Sequence, residues 1–231
     1  QELLYQYAIP NAFRDFENIE VVRLPRSLKK ISACAFSGCK NLKKVYMEYG
    51  LEEIGDEAFT VTGLKYVYIP ASVEKIGNGA FTFCANLASI NLPEGVKSIG
   101  TYAFAGDLQL AEITLPQSVE TIGRNAFAAT GLLSLVLPEG VTVTSQEMCY
   151  NCQKLTSLTL PTTITNIGYH SFDECNALVE IHCKATTPPT LEQYAFEDVV
   201  TGRKICVPHD SVEAYKTADG WSDFADQIFG E

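Results

Sequence analysis

One unit recurs along this 231-residue chain, and no other feature constrains the fold as tightly. Its clearest copy runs from Leu110 to Phe127, Leu-Ala-Glu-Ile-Thr-Leu-Pro-Gln-Ser-Val-Glu-Thr-Ile-Gly-Arg-Asn-Ala-Phe. In general form it is L-x-x-I-x-L-P-x-x-V-x-x-I-G-x-x-A-F followed by four or five linking residues. Copies begin at Ile19, Leu42, Leu64, Leu87, Leu110, Leu132, Leu155 and Leu178, each 22 or 23 residues after the one before. A unit this short cannot bury its own apolar face. It must stack on its neighbours, and the product is a solenoid.

Each position has a physical reading. The I-x-L triplet alternates as a strand does, with Ile and Leu inward and x outward. The Pro that follows has no N–H and stops the strand, at Pro25, Pro70, Pro93, Pro116, Pro138, Pro161 and Pro208. Val and Ile return apolar side chains to the core. Gly55, Gly77, Gly100, Gly123 and Gly168 are expected at turns with positive φ. Ala-Phe is expected in a short helical or 3₁₀ turn, with the Phe filling space between layers, so that Phe104 packs between Phe81 and Phe127. Cys149 takes the Phe position in the sixth copy. Cys39, Cys84, Cys152 and Cys175 lie three residues after it in their own copies, while the 22-residue copies end in Thr62-Gly63 and Thr130-Gly131.

This pattern divides the chain into three parts. Residues 1–18 are a partial or degenerate N-terminal repeat, with any strand in Glu2–Tyr7 poorly patterned. Residues 19–200 are the solenoid of about eight repeats. Residues 201–231 supply a final strand, Ile205-Cys206-Val207-Pro208, and a helical cap. In that cap, Asp210 and Glu213 have capping-box spacing for a first helix that stops near Gly220. Ser222 is placed to cap a second helix, with Trp221, Phe224 and Ile228 on one face. The predicted fold is a right-handed superhelix of 22–23-residue coils. A parallel β-sheet forms one face, short strands and 3₁₀ or helical turns form the other, and a small helical cap closes the C-terminal end.

Composition narrows the function. No apolar run approaches the roughly 18 residues of a membrane-spanning helix. The net charge of −11 argues against a general nucleic-acid binder, which needs a basic footprint. That charge is uneven: residues 1–66 carry nine basic and nine acidic side chains, and residues 185–231 carry three and nine. Gln1 does not look like a native start, so a secretion signal is expected to lie outside this chain.

The unit resembles the BspA-like type of leucine-rich repeat, L-x-x-I-x-L-P-x-S-V-x-x-I-G-x-x-A-F-x-x-C. The match covers about residues 9–200 and is nearly complete over residues 87–127. It is weakest in the sixth copy, where Thr144, Met148 and Cys149 replace Ile, Ala and Phe. The resemblance implies a right-handed leucine-rich repeat solenoid and a protein that is secreted or attached to the bacterial outer surface. It implies adhesion to a protein or glycoprotein partner, such as host matrix or another cell. It carries over no catalytic residue, cofactor or metal, and the chain is expected to be a monomer and not an enzyme. Two other readings compete: a structural spacer that displays another part of a larger surface protein, and an enzyme that uses Cys and His.

The outward strand positions carry the binding hypothesis. Between Ile and Leu they read Arg23, Tyr46, Tyr68, Asn91, Thr114, Val136, Thr159, His182 and Cys206. Two residues earlier they read Val21, Lys44, Tyr66, Ser89, Glu112, Ser134, Ser157, Glu180 and Lys204. Aromatic and basic residues gather in the first three coils, so Arg23, Lys44, Tyr46, Tyr66 and Tyr68 are the candidate partner-binding residues. Arg23 is expected beside Tyr46, and Lys44 beside Tyr66. Tyr favours strands in any case, which is the bland explanation of the same cluster.

Cysteine and histidine read mostly as structure. Cys149-x-x-Cys152 has redox and zinc-ligand spacing, yet both residues fall on core positions. A Cys152–Cys175 disulfide is within reach, but stacking points both sulfurs the same way. His182 and Cys206 share an outward row and should be neighbours. Without an orienting group they make a weak nucleophilic pair, as do Cys206 with His209 and Cys183 with His182. Cys183 is expected in the core, and His170 solvated on a turn.

Overall fold

The structure, a computed structural model, describes residues 10–196 and 200–231. The segment Glu2–Tyr7, where an N-terminal strand was conceivable, lies outside them. The chain winds as a parallel-strand solenoid of about nine coils, and each coil meets the apolar core from three sides.

The I-x-L triplets form the first side, a wide sheet. Val21–Arg23 pairs with Lys44–Tyr46, and Tyr66–Tyr68 pairs with Ser89–Asn91. Five strands then run without a break: Ser134–Val136, Ser157–Leu160, Glu180–Cys183, Lys204–Val207 and Ile228–Gly230. All pairs are parallel and in the register that the repeat predicts. The V-x-x-I segments form the second side, a narrow face of two-residue strands in two sheets, five strands from Lys30–Ile31 to Thr121–Ile122 and three from Val143–Thr144 to Thr190–Leu191. Between the sheets, each Pro carbonyl accepts the N–H of the residue three later, as in Val73 to Pro70 at 3.1 Å and Val119 to Pro116 at 3.1 Å. Pro therefore ends the strand and opens the turn.

The wide sheet is not continuous. No backbone hydrogen bond joins Lys44–Tyr46 to Tyr66–Tyr68 among the described residues, and residues 110–116 form no strand. This departs from an unbroken ladder, and the strandless segment 110–116 falls within residues 87–127, where the repeat is most regular. Two of the three unpaired steps cross the 22-residue copies. Nothing in the structure explains the third unpaired step, from Ser89–Asn91 to residues 112–114.

The third side differs from expectation. Ala-Phe lies in a run of hydrogen-bonded turns, not in a helix. Ala35 donates to Ser32, Ser37 to Cys34 and Cys39 to Phe36. The intervening N–H groups bond to the next coil: Cys34 to Asp56, Phe36 to Ala58 and Gly38 to Thr60, each at 2.8 Å. Alternate N–H groups thus serve the coil and its neighbour, which a helix cannot do because its bonds are all internal. The price is a left-handed residue on either side of each motif Phe from Phe13 to Phe172, for example Glu57 (φ 54°) and Val61 (φ 56°) around Phe59.

Those residues, and not the motif glycines, adopt positive φ. Gly55, Gly77, Gly100, Gly123 and Gly168 are not left-handed. They are small because the coils touch there. A Cβ on Gly55 would lie 2.5 Å from the Ile31 carbonyl oxygen, and one on Gly123 would lie 2.4 Å from the Thr101 nitrogen.

Along the core the Phe rings stack one per coil. Phe13, Phe36, Phe59, Phe81, Phe104 and Phe127 follow at 5.3, 5.4, 5.4, 5.6 and 5.7 Å, with ring planes within 12° of parallel. Cys149 interrupts this column, which resumes with Phe172 on Phe196 at 5.6 Å.

The lid closes the last coil by a route the sequence only partly shows. A 3₁₀ turn at His209–Ser211 leads into the helix Val212–Thr217, and a second 3₁₀ helix covers Trp221–Gln227. The predicted capping box does not form. Asp210 lies within the first turn, and the helix N-cap, Ser211, makes no capping bond; its hydroxyl donates to the Thr186 carbonyl at 2.8 Å. Ser222 lies inside the second helix, whose N-cap is Gly220 (φ 74°). Trp221, Phe224 and Ile228 are buried as expected. The Trp221 indole N–H donates to the Pro189 carbonyl and the Tyr215 hydroxyl to the Ala185 carbonyl, both at 2.8 Å. The lid thereby satisfies backbone groups left open where Thr186-Thr187-Pro188-Pro189 departs from the repeat. One further strand, Ile228–Gly230, pairs parallel with Lys204–Val207, so Val207 is not the end of the sheet.

Candidate partner-binding face

The five candidate residues lie together on the outer surface of the wide sheet. Strand alternation puts Val22, Val45 and Val67 inward, so their neighbours face out. Register places Arg23 opposite Tyr46 and Val21 opposite Lys44. The Arg23 guanidinium sits 3.9 Å from the Tyr46 ring centroid, the expected cation–π pair. Lys44 also stands over Tyr46, at 5.2 Å, and the cation over Tyr66 is Lys65, at 5.3 Å. The hydrogen bond from Lys44, with the charge of Arg23, holds the Tyr46 phenol below its usual range. Tyr66 and Tyr68 are 60% and 71% exposed, so both rings are open to a partner.

Sequence reasoning missed Lys65. It sits at the inward parity of its strand and was absent from both outward rows. A charged side chain at such a position must snorkel to the surface, and that was the available signal.

The charges of the two sheets are handled differently. On the narrow sheet, lysines and glutamates alternate between coils and pair. Glu53 bridges Lys30 (3.0 Å) and Lys75 (3.1 Å), Glu52 binds Lys29 (2.7 Å) and Glu74 binds Lys97 (2.8 Å). Burial opposes charge on Glu53, but hydrogen bonds from Lys30 and Lys75 prevail and hold its carboxyl below the usual range. On the wide sheet, Arg23, Lys44 and Lys65 make no salt bridge among the described residues.

The thiol and imidazole candidates fall into two groups. All eight cysteines are free. Cys149, Cys152, Cys175 and Cys183 are buried core residues. Burial pushes the Cys149 and Cys183 thiols up. Hydrogen bonding among Cys149, Cys152 and Cys175 favours charge on the Cys152 sulfur and disfavours it on Cys175. His182 does neighbour Cys206 across the sheet. Both its ring nitrogens are already engaged, Nδ1 with Glu231 at 2.7 Å and Nε2 with Glu180 at 3.2 Å. Burial works against charge on that ring, but the two carboxylates raise its pKa. Burial and the same two carboxylates push the Cys206 thiol up, the opposite of an activated nucleophile. His170 is not solvated as expected; it stacks on Tyr194 at 4.9 Å and bonds to Asp173.

A family model described as the BspA type leucine-rich repeat region, in six copies, matches residues 8–134 and 97–217. The chain belongs to that family. A leucine-rich repeat protein from Bacteroides ovatus shares its fold, with a TM-score of 0.52 at 20% identity, over 96% of this chain and 80% of that one. A leucine-rich cell surface protein from Faecalibacterium prausnitzii is 26% identical over 75% of this chain and 62% of its own, with a TM-score of 0.42. The pneumococcal vaccine antigen PcpA is 22% identical over 91% and 66%, with a TM-score of 0.49. No protein of curated function matches the chain.

Members of the BspA-type family use the repeat as a scaffold, and leucine-rich repeat proteins are generally interaction or surface modules. The motif residues here act accordingly. The repeated Leu, Ile, Val and Phe are buried, and the variable outward positions lie at the surface.

Proposed function

We propose that this chain is a non-enzymatic binding module, secreted or displayed at a bacterial surface, that adheres to an acidic or glycosylated protein through the N-terminal part of its wide sheet. The observation that carries the reading is the contrast between the two sheets. Lysines on the narrow sheet are neutralised across coils, whereas Arg23, Lys44 and Lys65 lie over Tyr46 and Tyr66 with no carboxylate partner among the described residues. Such a surface favours an anionic partner on a chain whose net charge is −11. Tyr and Arg are the residues that most often dominate protein interfaces, and rigid Tyr rings lose little entropy on binding. Host matrix or the surface of another cell would supply partners of this chemistry.

The test is a triple variant, Tyr46→Ser, Tyr66→Ser and Tyr68→Ser, assayed for adhesion to host-cell or matrix preparations. The three rings point away from the core, so the thermal midpoint should stay within a few degrees of wild type. Adhesion should fall at least tenfold and the wild-type signal should weaken with salt. A folded triple variant that adheres as well as wild type removes this face as the binding site.

A further inference from the structure

We propose that His182, Cys206 and Glu231 form a zinc-binding site on the wide sheet, where the lid's last strand joins the final coils. Each residue offers one ligand atom, and those atoms lie within 4.8 Å of one another. No other group of three or more such residues is this close among the described residues. One imidazole, one thiolate and one carboxylate are the donor types that zinc takes, and three protein ligands leave a fourth position for water. A cation of this borderline softness fits a mixed set better than calcium or magnesium, which take oxygen alone.

The three ligands come from three adjacent strands. His182 lies on Glu180–Cys183, Cys206 on Lys204–Val207, and Glu231 follows Ile228–Gly230. His182 and Cys206 are direct register partners. Glu231 is fixed at both backbone groups: its N–H donates to the Val207 carbonyl at 2.9 Å, and its carbonyl accepts from the His209 N–H at 3.2 Å. The backbone is thus set, and only side chains need to move. Tetrahedral zinc requires ligand atoms about 3.3–3.6 Å apart. The His182 Nδ1 to Glu231 Oε2 distance, now 2.7 Å, must open slightly, and the Cys206 sulfur must close on both.

The surroundings match a metal site as well as the ligands do. His182 Nε2 lies 3.2 Å from Glu180, which would leave Nδ1 to the metal and give a carboxylate–histidine–zinc arrangement. That outer carboxylate fixes the ring and its tautomer. Cys206 binds as the thiolate, with its proton passing to solvent. In the rest of the same outward row, Arg23, Tyr46, Tyr68, Asn91, Thr114, Val136 and Thr159 offer no such ligand set. The site therefore belongs to the closing end of the solenoid, where zinc would clasp Glu231 to the preceding coils.

The experiment is zinc titration of the full 231-residue chain by calorimetry, with cobalt as a spectroscopic stand-in. One zinc per chain is expected, with a higher melting midpoint and a thiolate-to-cobalt absorption band. Cys206→Ser should abolish that band. His182→Gln and Glu231→Gln should each weaken zinc at least tenfold, and Glu180→Gln should weaken it about 10–100-fold while keeping the band. If Cys206→Ser does not fold, alkylation of the wild-type chain decides. Zinc should protect Cys206 and leave Cys34, the other half-buried thiol, unchanged. Failure of wild type to bind zinc would reduce the cluster to an ion-paired histidine. Zinc binding undiminished in Cys206→Ser, or alkylation of Cys206 unaffected by zinc, would likewise overturn the site.

Discussion

The Cys84 thiol donates to the carbonyl oxygen of Phe59, 3.1 Å away and one coil earlier. The same bond recurs from Cys39 to Phe13 (3.0 Å), from Cys152 to Phe127 (3.0 Å) and from Cys175 to Cys149 (3.1 Å). Cysteine three residues after the Phe position is therefore an inter-coil donor as well as a small apolar filler. Burial, with the charge of Asp107, pushes the Cys84 thiol up to about 12, so it stays protonated and able to donate.

Removing that donor has a defined cost. Phe59 O accepts no other hydrogen bond among the described residues. Cys84→Val keeps an apolar side chain in the slot and leaves this carbonyl unpaired, at a cost of about 1–3 kcal/mol. Urea denaturation measures it. A change below about 0.5 kcal/mol would mean that the sulfur acts only as filler.

The Phe column predicts a second effect. Phe104 is fully buried and stacks on Phe81 at 5.6 Å and on Phe127 at 5.7 Å. Phe104→Ala should destabilise the chain by about 3–5 kcal/mol, since packed coils on both sides prevent the site from collapsing. Chemical denaturation showing a loss under about 1 kcal/mol would refute the stacked-column account.

The lid should be indispensable to the last coils. Trp221 is fully buried, lies 5.0 Å from Tyr215 and 6.2 Å from Phe196, and satisfies the Pro189 carbonyl. Deleting residues 209–231 would bare that layer and the Lys204–Val207 edge. The shortened chain should aggregate or melt at lower temperature. Light scattering and a thermal melt report it, and a stable, soluble monomer would contradict the assignment.

These cases show what the repeat makes legible. A slot that recurs reports its average environment. Phe104, Cys84 and Pro116 could therefore be placed in core, core and turn from spacing alone, and Arg23 could be set beside Tyr46. Periodicity carries no cross-coil distance. It marked Gly55 as special but not why, because the reason is a backbone oxygen of another coil 2.5 Å from where its Cβ would be. It could not foresee where the wide sheet would break. Beyond the last repeat there is no slot to read, so Ile228–Gly230 went unrecognised as a strand, and Glu231 could not be placed beside His182. Lys65 escaped because parity assigns a side chain to a face, while a long charged one can leave it.

Asp107 provides the sharpest test of the buried ladder. It occupies the position three after Phe104, where neighbouring coils have Cys84 and Thr130. Its Oδ1 accepts the Cys84 N–H at 2.8 Å, and its Oδ2 is buried with no hydrogen-bond partner among the described residues. Burial pushes this carboxyl well above the ordinary aspartate value of 3.8, and the Cys84 N–H offsets only part of that effect. The sign follows from linkage: a carboxyl raised in the folded state leaves full stability below 3.8 and removes it as pH rises through the folded value. Asp107→Asn retains an oxygen for the Cys84 N–H and cannot ionise. At about pH 3 the variant should match wild type or fall slightly below it. At about pH 8 it should be more stable by about 1–3 kcal/mol, the scale of an unsatisfied buried polar group. Paired urea titrations across this range measure the difference. A gap that does not widen with pH would show that Asp107 ionises without cost, and that this slot tolerates a charge the rest of the ladder avoids.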